Sequence, residues 1–299
     1  MKAKDFFMKS RYGFVMLFAI CNLLFWGCND DDPVESKVPD LPTQEDPVES
    51  KEPDLPTQQI VVLYDNDVHC TVDGYPMLVT ARNECLSRTN YVSTVSSGDF
   101  SSGGFVGAVS KGEQIVELMN YVGYDVVALG NHELDYGMSQ MFKLTEALDA
   151  SVVCANLKNV QTGAYPYPAY KIIRYGDVDV AYIGFTTTTT GTVTSLCDEQ
   201  GNPLYSFMRE NFYENAQYFI NKARQEGADY VIALAHLGDT PKTGGHANSM
   251  ELISSTTGLD AVIDAHDHHV IEQQLVNNKE DRPLYCLLLR EPIFNTLVS

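Results

Sequence analysis

Gly130-Asn131-His132-Glu133-Leu134-Asp135-Tyr136-Gly137 follows directly on the apolar run 126–129. An apolar run this short, ending abruptly in an amide, an imidazole and two carboxylates, reads as a buried strand with reactive groups at its carboxyl end. Asn131 offers a metal ion a neutral amide oxygen. An aspartate within reach of a histidine fixes its tautomer and stabilises the imidazolium form. His132 with Asp135 therefore has the makings of a general acid or an electrostatic clamp.

The same pattern recurs outward from this octet. The run 60–64 stops at Asp65-Asn66-Asp67, followed by Val68-His69. Asp67 and His69, two residues apart on what reads as an extended turn, can both face one divalent metal. The run 91–95 leads into Gly98-Asp99-Phe100-Ser101-Ser102-Gly103, whose glycines permit a tight turn while Asp99 projects. The run 230–235 ends at His236-Leu237-Gly238, and 261–263 leads to Ala265-His266-Asp267-His268. On an extended segment, His-x-His sets both rings on one side in a chelating arrangement. A further strand is expected over 180–185, and helices over 112–119, 139–148 and 207–227. In the last, Phe212, Ala216, Phe219, Ile220 and Ala223 recur at helical spacing as a core face. Strands alternating with helices predict a layered α/β domain.

Taken in order, Asp-x-His, Gly-Asp-x-x-x-Gly, Gly-Asn-His-Glu-x-Asp, His-x-Gly and Ala-His-x-His resemble the calcineurin-like metallophosphoesterases, and in detail the 5′-nucleotidase family. The resemblance covers residues 60 to about 270 and implies a four-layer α/β/β/α sandwich with mixed sheets. It further implies two divalent metal ions, of the Zn, Mn, Mg or Fe type. Asp67, His69 and His268 would hold one metal and Asn131, His236 and His266 the other. Asp99 would bridge, and His132 with Asp135 would serve the leaving oxygen. Leu134 stands where the family usually has Phe, and Ala265 where it usually has Gly. The related purple acid phosphatases place a metal-bound tyrosine three residues after the bridging aspartate; here that position is Ser102, which disfavours that branch. The physical logic is independent of kinship. Two dications outweigh the charges of Asp67 and Asp99 and leave the site locally positive. Metals ~3.5–4 Å apart can clamp a phosphoryl group for in-line attack by water. The implied substrate is a nucleotide or another small phosphate ester, hydrolysed in the manner of a 5′-nucleotidase, a UDP-sugar hydrolase or a cyclic phosphodiesterase.

The N-terminal segment has different physics. Lys2, Lys4, Lys9 and Arg11 precede a nearly continuous apolar run over 14–26, too short for a membrane span of ~20 residues but suited to a signal peptide. Phe25-Trp26-Gly27-Cys28 resembles a bacterial lipobox, which makes Cys28 the expected lipidation site and 1–28 the leader. Residues 29–59 carry ten acids against Lys37 and Lys51 and contain a tandem repeat, PVESKVPDLPTQED then PVESKEPDLPTQQ. Six of the chain's 13 prolines lie there, so this stretch is expected to be an extended linker rather than part of a core. Residues 60–299 then form the enzyme domain. The expected location is the cell envelope, as an outer-membrane, periplasmic or surface-exposed lipoprotein.

The composition excludes other classes. A net charge of −20 over 299 residues leaves nothing to attract a nucleic-acid backbone, and 44% hydrophobic residues can build a sizeable core. Seven cysteines are too few for a disulfide scaffold. If Cys21 leaves with the leader and Cys28 is acylated, five remain and at least one must be a thiol. His246 and His269 read as surface residues, 186–190 as a strand-end loop and 165–168 as an extended connection. The family normally carries a second domain that grips base and phosphate. Nothing here matches it, and the tail from about 284 departs from the family pattern, as a shifted reading frame would produce. An alternative expectation is therefore a catalytically silent surface lipoprotein that acts as a binding module.

Overall fold

The computed structural model describes residues 59–188, 196–198, 200–241, 246–269, 271–280, 283–288 and 295–298. The leader, Cys28 and the proline-rich repeat lie outside them. Among the described residues, no helix is long and apolar enough to cross a membrane.

Two sheets form the centre. The first has the order β13-β1-β2-β3-β4, built from β1 (Val61–Asp65), β2 (Val92–Ser96), β3 (Val126–Ala128), β4 (Ser151–Val153) and β13 (Asn295–Val298). In it β1, β2, β3 and β4 are parallel, and β13 joins β1 antiparallel. The second has the order β11-β12-β10-β9-β7-β6, from β6 (Tyr170–Tyr175), β7 (Val178–Thr186), β9 (Tyr230–His236), β10 (Ala261–Ile263), β11 (Ile271–Asn277) and β12 (Pro283–Leu288). Here β7, β9, β10 and β12 run parallel, while β6 and β11 are antiparallel. A short ribbon pairs β5 (Leu157–Asn159) with β8 (Tyr205–Phe207). Strands were expected at β1, β2, β3, β7, β9 and β10, and each forms within a residue or two of its apolar run.

The pleat explains the layering. Along β1, Val61 and Leu63 face outward, joining Leu78 of α1 (Tyr75–Leu86), half-buried Val106 of α2 (Gly104–Ser110), Ile115 and Met119 of α3 (Glu113–Val122) and Met141 and Leu144 of α4 (Met138–Ala147). Val62 and Tyr64 face the other way, into a core shared with Val180 and Tyr182 of β7 and Ile232 and Leu234 of β9. Beyond the second sheet, Val231, Ala233 and Ala235 pack against Phe212, Ala216, Phe219, Ile220 and Ala223 of α5 (Phe212–Gln225) and Leu252 and Ile253 of α6 (Ser249–Ser255). Three cores separate four layers, helices/sheet/sheet/helices, which is the expected sandwich. Strands buried on both faces are apolar at successive positions, and so β1 and β9 read as runs rather than alternations.

Three details differ from expectation. The helix expected over 207–227 begins at Phe212, because Phe207 pairs with Leu157 in the ribbon. Residues 165–168 carry no regular structure but are fastened: Tyr165 packs edge-on to Phe219, and Tyr167 shares a hydrogen bond with Thr145 at 2.9 Å. His246 is half-buried, with Nδ1 3.0 Å from Thr188 Oγ1, whereas His269 is exposed and meets Asp239 at 2.7 Å. Cys70 and Cys154 are buried thiols, consistent with packing roles.

Candidate metal centre

The carboxyl ends of β1, β2, β3, β9 and β10 meet at one edge of the sandwich. Three bonds tie the sheets together there: Ser97 Oγ donates to the Ile263 carbonyl at 2.9 Å, Thr186 Oγ1 donates to the Leu129 carbonyl at 2.6 Å, and His236 Nδ1 lies 2.9 Å from the Ser97 carbonyl. The loops that follow zip onto one another. The amides of Asp67, His69 and Cys70 donate to the carbonyls of Gly98, Asp99 and Phe100. The approach is close enough to demand glycine: a Cβ on Gly98, whose φ is +94°, would sit 2.3 Å from the Gly130 nitrogen, and one on Gly130 would sit 2.1 Å from Asp99 Oδ1.

Asp67, His69, Cys70, Asp99, His266 and His268 all have positive φ, six of eight such non-glycine residues among those described. A left-handed backbone is costly for side-chain-bearing residues, and its concentration in three facing loops marks a functional site. It also corrects two expectations. Neither Asp67-Val68-His69 nor His266-Asp267-His268 is extended. The two rings of the latter part company: His268 Nε2 lies 3.2 Å from His69 Nε2, while the His266 ring packs 5.2 Å from that of His236.

Asp67, His69 and His268 bring one ligand atom each within 4.8 Å of one another, and so do Asp67, Asp99 and His236. Asp99 Oδ2 lies 2.9 Å from His236 Nε2 and 3.8 Å from His69 Nε2, between the two groups. Asp67 is held by Asn66 Nδ2 at 2.8 Å and by the His266 amide at 3.1 Å. The Asn131 side-chain oxygen is buried with no hydrogen-bond partner among the described residues. His236 Nε2, wholly buried, is likewise not aligned for a hydrogen bond despite its nearness to Asp99. Its Nδ1 faces the Ser97 carbonyl, which commits Nε2 to the site. Burial opposes charge on His236, but the Asp99 carboxylate outweighs it and raises the ring to about 10. Burial likewise works against ionised Asp99, yet the His236 charge, with His132 and His69, holds it well below the usual carboxylate range. The donors call for positive charge at their convergence. Hard oxygens and imidazoles with an orphaned amide oxygen fit divalent cations.

At the rim, His132 Nδ1 lies 2.8 Å from Asp135 Oδ2, both side chains about two-fifths exposed. The His132 amide donates to Asp99 Oδ1 at 2.8 Å, and its ring packs edge-on against His69 at 5.1 Å. The dyad thus borders the ligand cluster and still reaches solvent. Every expected site residue of the domain therefore falls at this edge, and two partners were not assigned from the sequence. Glu133 gathers the amides of Asp99, Phe100, Ser101 and Gly130. Asp264, pushed up to about 7 by burial, accepts from the amides of Leu237 and Gly238 at 3.2 Å. Carboxylates next to such motifs were visible, but their backbone partners were not.

Known proteins resemble this chain. The model of the calcineurin-like phosphoesterases matches residues 61–270, and the chain belongs to that family. It is 25% identical to the trifunctional nucleotide phosphoesterase protein YfkN of Bacillus subtilis over 256 residues, 74% of this chain and 17% of that one. It is 27% identical to the snake venom 5′-nucleotidase of Gloydius brevicauda over 232 residues, 70% of this chain and 37% of the relative. In fold it resembles the NAD nucleotidase of Haemophilus influenzae, with a TM-score of 0.68 at 18% identity, covering 80% of this chain and 47% of the other. The chain spans well under half the length of these curated relatives. By family it is a calcineurin-like phosphoesterase; it is similar to proteins named 5′-nucleotidase and holds candidate metal-binding residues.

Proposed function

We propose that the chain is an exported, two-metal phosphoesterase that hydrolyses nucleotide phosphates. The observation that carries this reading is the position of Asp99 Oδ2 between His69 and His236, with the His132–Asp135 dyad alongside. Asp67, His69 and His268 would hold one cation, Asn131, His236 and His266 the other, and Asp99 both. The cations would supply Lewis-acid polarisation of the phosphoryl group and a nucleophilic water.

The rest falls to the protein. Glu133 keeps the Asp99 loop in place, and Ser97 fixes the His236 tautomer. His132, protonated and oriented by Asp135, stabilises and then protonates the departing alkoxide, the group on which charge develops as the ester bond breaks. Nucleotides are favoured as substrates because the relatives named above act on them by name. Residues 60–299 would be the catalytic domain, 29–59 its linker and Cys28 a lipid anchor in the cell envelope.

The test is turnover of AMP, a UDP-sugar, a cyclic nucleotide and p-nitrophenyl phosphate with Mn²⁺ or Zn²⁺, alongside metal content by mass spectrometry. Hydrolysis that disappears in Asp99→Asn, and nucleotide hydrolysis that disappears in His132→Ala, is expected; a chain that binds no metal and turns over none of them is not this enzyme. Cys28→Ala should release the protein from membranes, and unchanged fractionation would remove the anchor.

A further inference from the structure

Asp135 has a second partner. Ser102 Oγ donates at 2.5 Å to Asp135 Oδ2, the same oxygen that faces His132 Nδ1 at 2.8 Å. The Ser102 carbonyl, in turn, lies 3.2 Å from His69 Nδ1. One residue thus touches the dyad through its hydroxyl and a candidate metal ligand through its backbone. Ser102 is only 8% exposed, and its loop is held on both sides. The preceding Ser101 is bound by Glu133 through both its amide and its hydroxyl at 3.1 Å. The following Gly103 has φ +122°, and a Cβ there would lie 2.5 Å from the His69 carbonyl oxygen. The hydroxyl is therefore a fixed donor, whereas Asp135 is a half-exposed carboxylate that water could turn.

We propose that Ser102 is a positioning residue for the reaction: it locks the Asp135 carboxylate so that one oxygen orients His132 toward the leaving group. This rests on the reading of His132 and Asp135 as the leaving-group dyad. A carboxylate oxygen that accepts from both a rigid hydroxyl and an imidazole N–H has one orientation. Without the hydroxyl it can rotate, and the imidazole rotates with it. Proton delivery to a poor leaving group depends on that geometry, and departure of a stabilised phenolate does not.

Ser102→Ala removes the hydroxyl and keeps the carbonyl at His69. With wild type, Ser102→Ala, Asp135→Ala and the double variant assayed on AMP and on p-nitrophenyl phosphate, Ser102→Ala should lose about tenfold in kcat on AMP, the worth of one hydrogen bond to a charged group. KM, metal per chain and p-nitrophenyl phosphate turnover should hold within about twofold, since neither binding nor the cluster is touched. In the Asp135→Ala background the serine change should have no further effect, because it acts through that carboxylate. Apart from turnover, the His132 Nδ1 proton should be a sharp imidazole NMR signal in wild type and broaden in Ser102→Ala. Equal losses on both substrates, additive losses in the double variant, or an unchanged His132 signal would overturn the assignment. Failure of the underlying reading looks different: Asp135→Ala would itself leave AMP hydrolysis intact.

Discussion

Glu133 binds the peptide of Asp99: its Oε2 accepts the Asp99 amide at 2.9 Å and the Gly130 amide at 2.6 Å. Its Oε1 accepts from Phe100 at 2.9 Å and from the amide and hydroxyl of Ser101 at 3.1 Å. One buried carboxylate thus staples the loop after β2 to the loop after β3. Burial, followed by repulsion from Asp99, raises its pKa, and the amide bonds pull the other way.

Glu133→Gln keeps the shape and replaces one acceptor oxygen by a donor that must face N–H groups. Two buried amides then lose their partner, a cost of about 1–3 kcal/mol each. A lowered melting temperature with a parallel loss of bound metal is the expected outcome. A variant that melts and loads like wild type would show that the staple does nothing.

Gly98→Ala should be worse tolerated than an ordinary buried Gly→Ala change. The positive φ alone costs roughly 1–2 kcal/mol, and the added methyl meets the Gly130 backbone rather than a movable side chain. Chemical denaturation measures the loss. A variant within a few tenths of a kcal/mol of wild type would mean that the two loops are not in contact.

Metal removal should be visible in stability as well as in activity. A ligand that binds only the folded state stabilises by about 2.7 kcal/mol at a hundredfold excess over its dissociation constant. For a domain of this size, that is roughly 5–10 °C in melting temperature. Chelation should lower the melting temperature by about this amount, and Asn131→Ala should abolish part of the shift. No response to chelator would remove the metal centre from the account.

These outcomes bear on what a sequence can disclose. The runs leading to Asp67, Asn131, His236 and His266 were legible because parallel strands buried on both faces are apolar at successive positions. The run leading to Asp99 was legible despite Ser93 and Thr94 because the residues of β2 are small or β-branched. α1 was not, because only Tyr75 and Leu78 of its twelve residues are buried, while Met77 is 59% exposed. β6 was missed for a similar reason: at the sheet edge only Tyr175 of its six residues is buried. The ligand types could be read from the motifs, but their left-handed backbones could not, since these accompany hydrogen bonds between loops about thirty to two hundred residues apart. The roles of Glu133 and Ser102 were hidden in the same way, by partners distant in the chain.

The dyad makes a prediction about pH. Burial lowers the proton affinity of the His132 ring, but the Asp99 charge and then the Asp135 hydrogen bond raise it further, so its pKa lies above the ordinary 6.5. In the role proposed for His132, the leaving group needs the protonated ring. On the proposed mechanism, activity on AMP should therefore be full below that pKa and fall as pH rises through it. Asp135→Ala removes one of the raising influences, which shifts the descending limb of kcat/KM to lower pH. At the lowest pH at which both proteins stay folded and metal-loaded, the deficit of the variant should be smallest, and it should widen as pH rises through neutrality. p-Nitrophenyl phosphate, whose leaving group needs no proton, should show a much weaker limb in both proteins. A limb that stays in place when Asp135 is removed would assign the titration to another group and leave His132 without its partner.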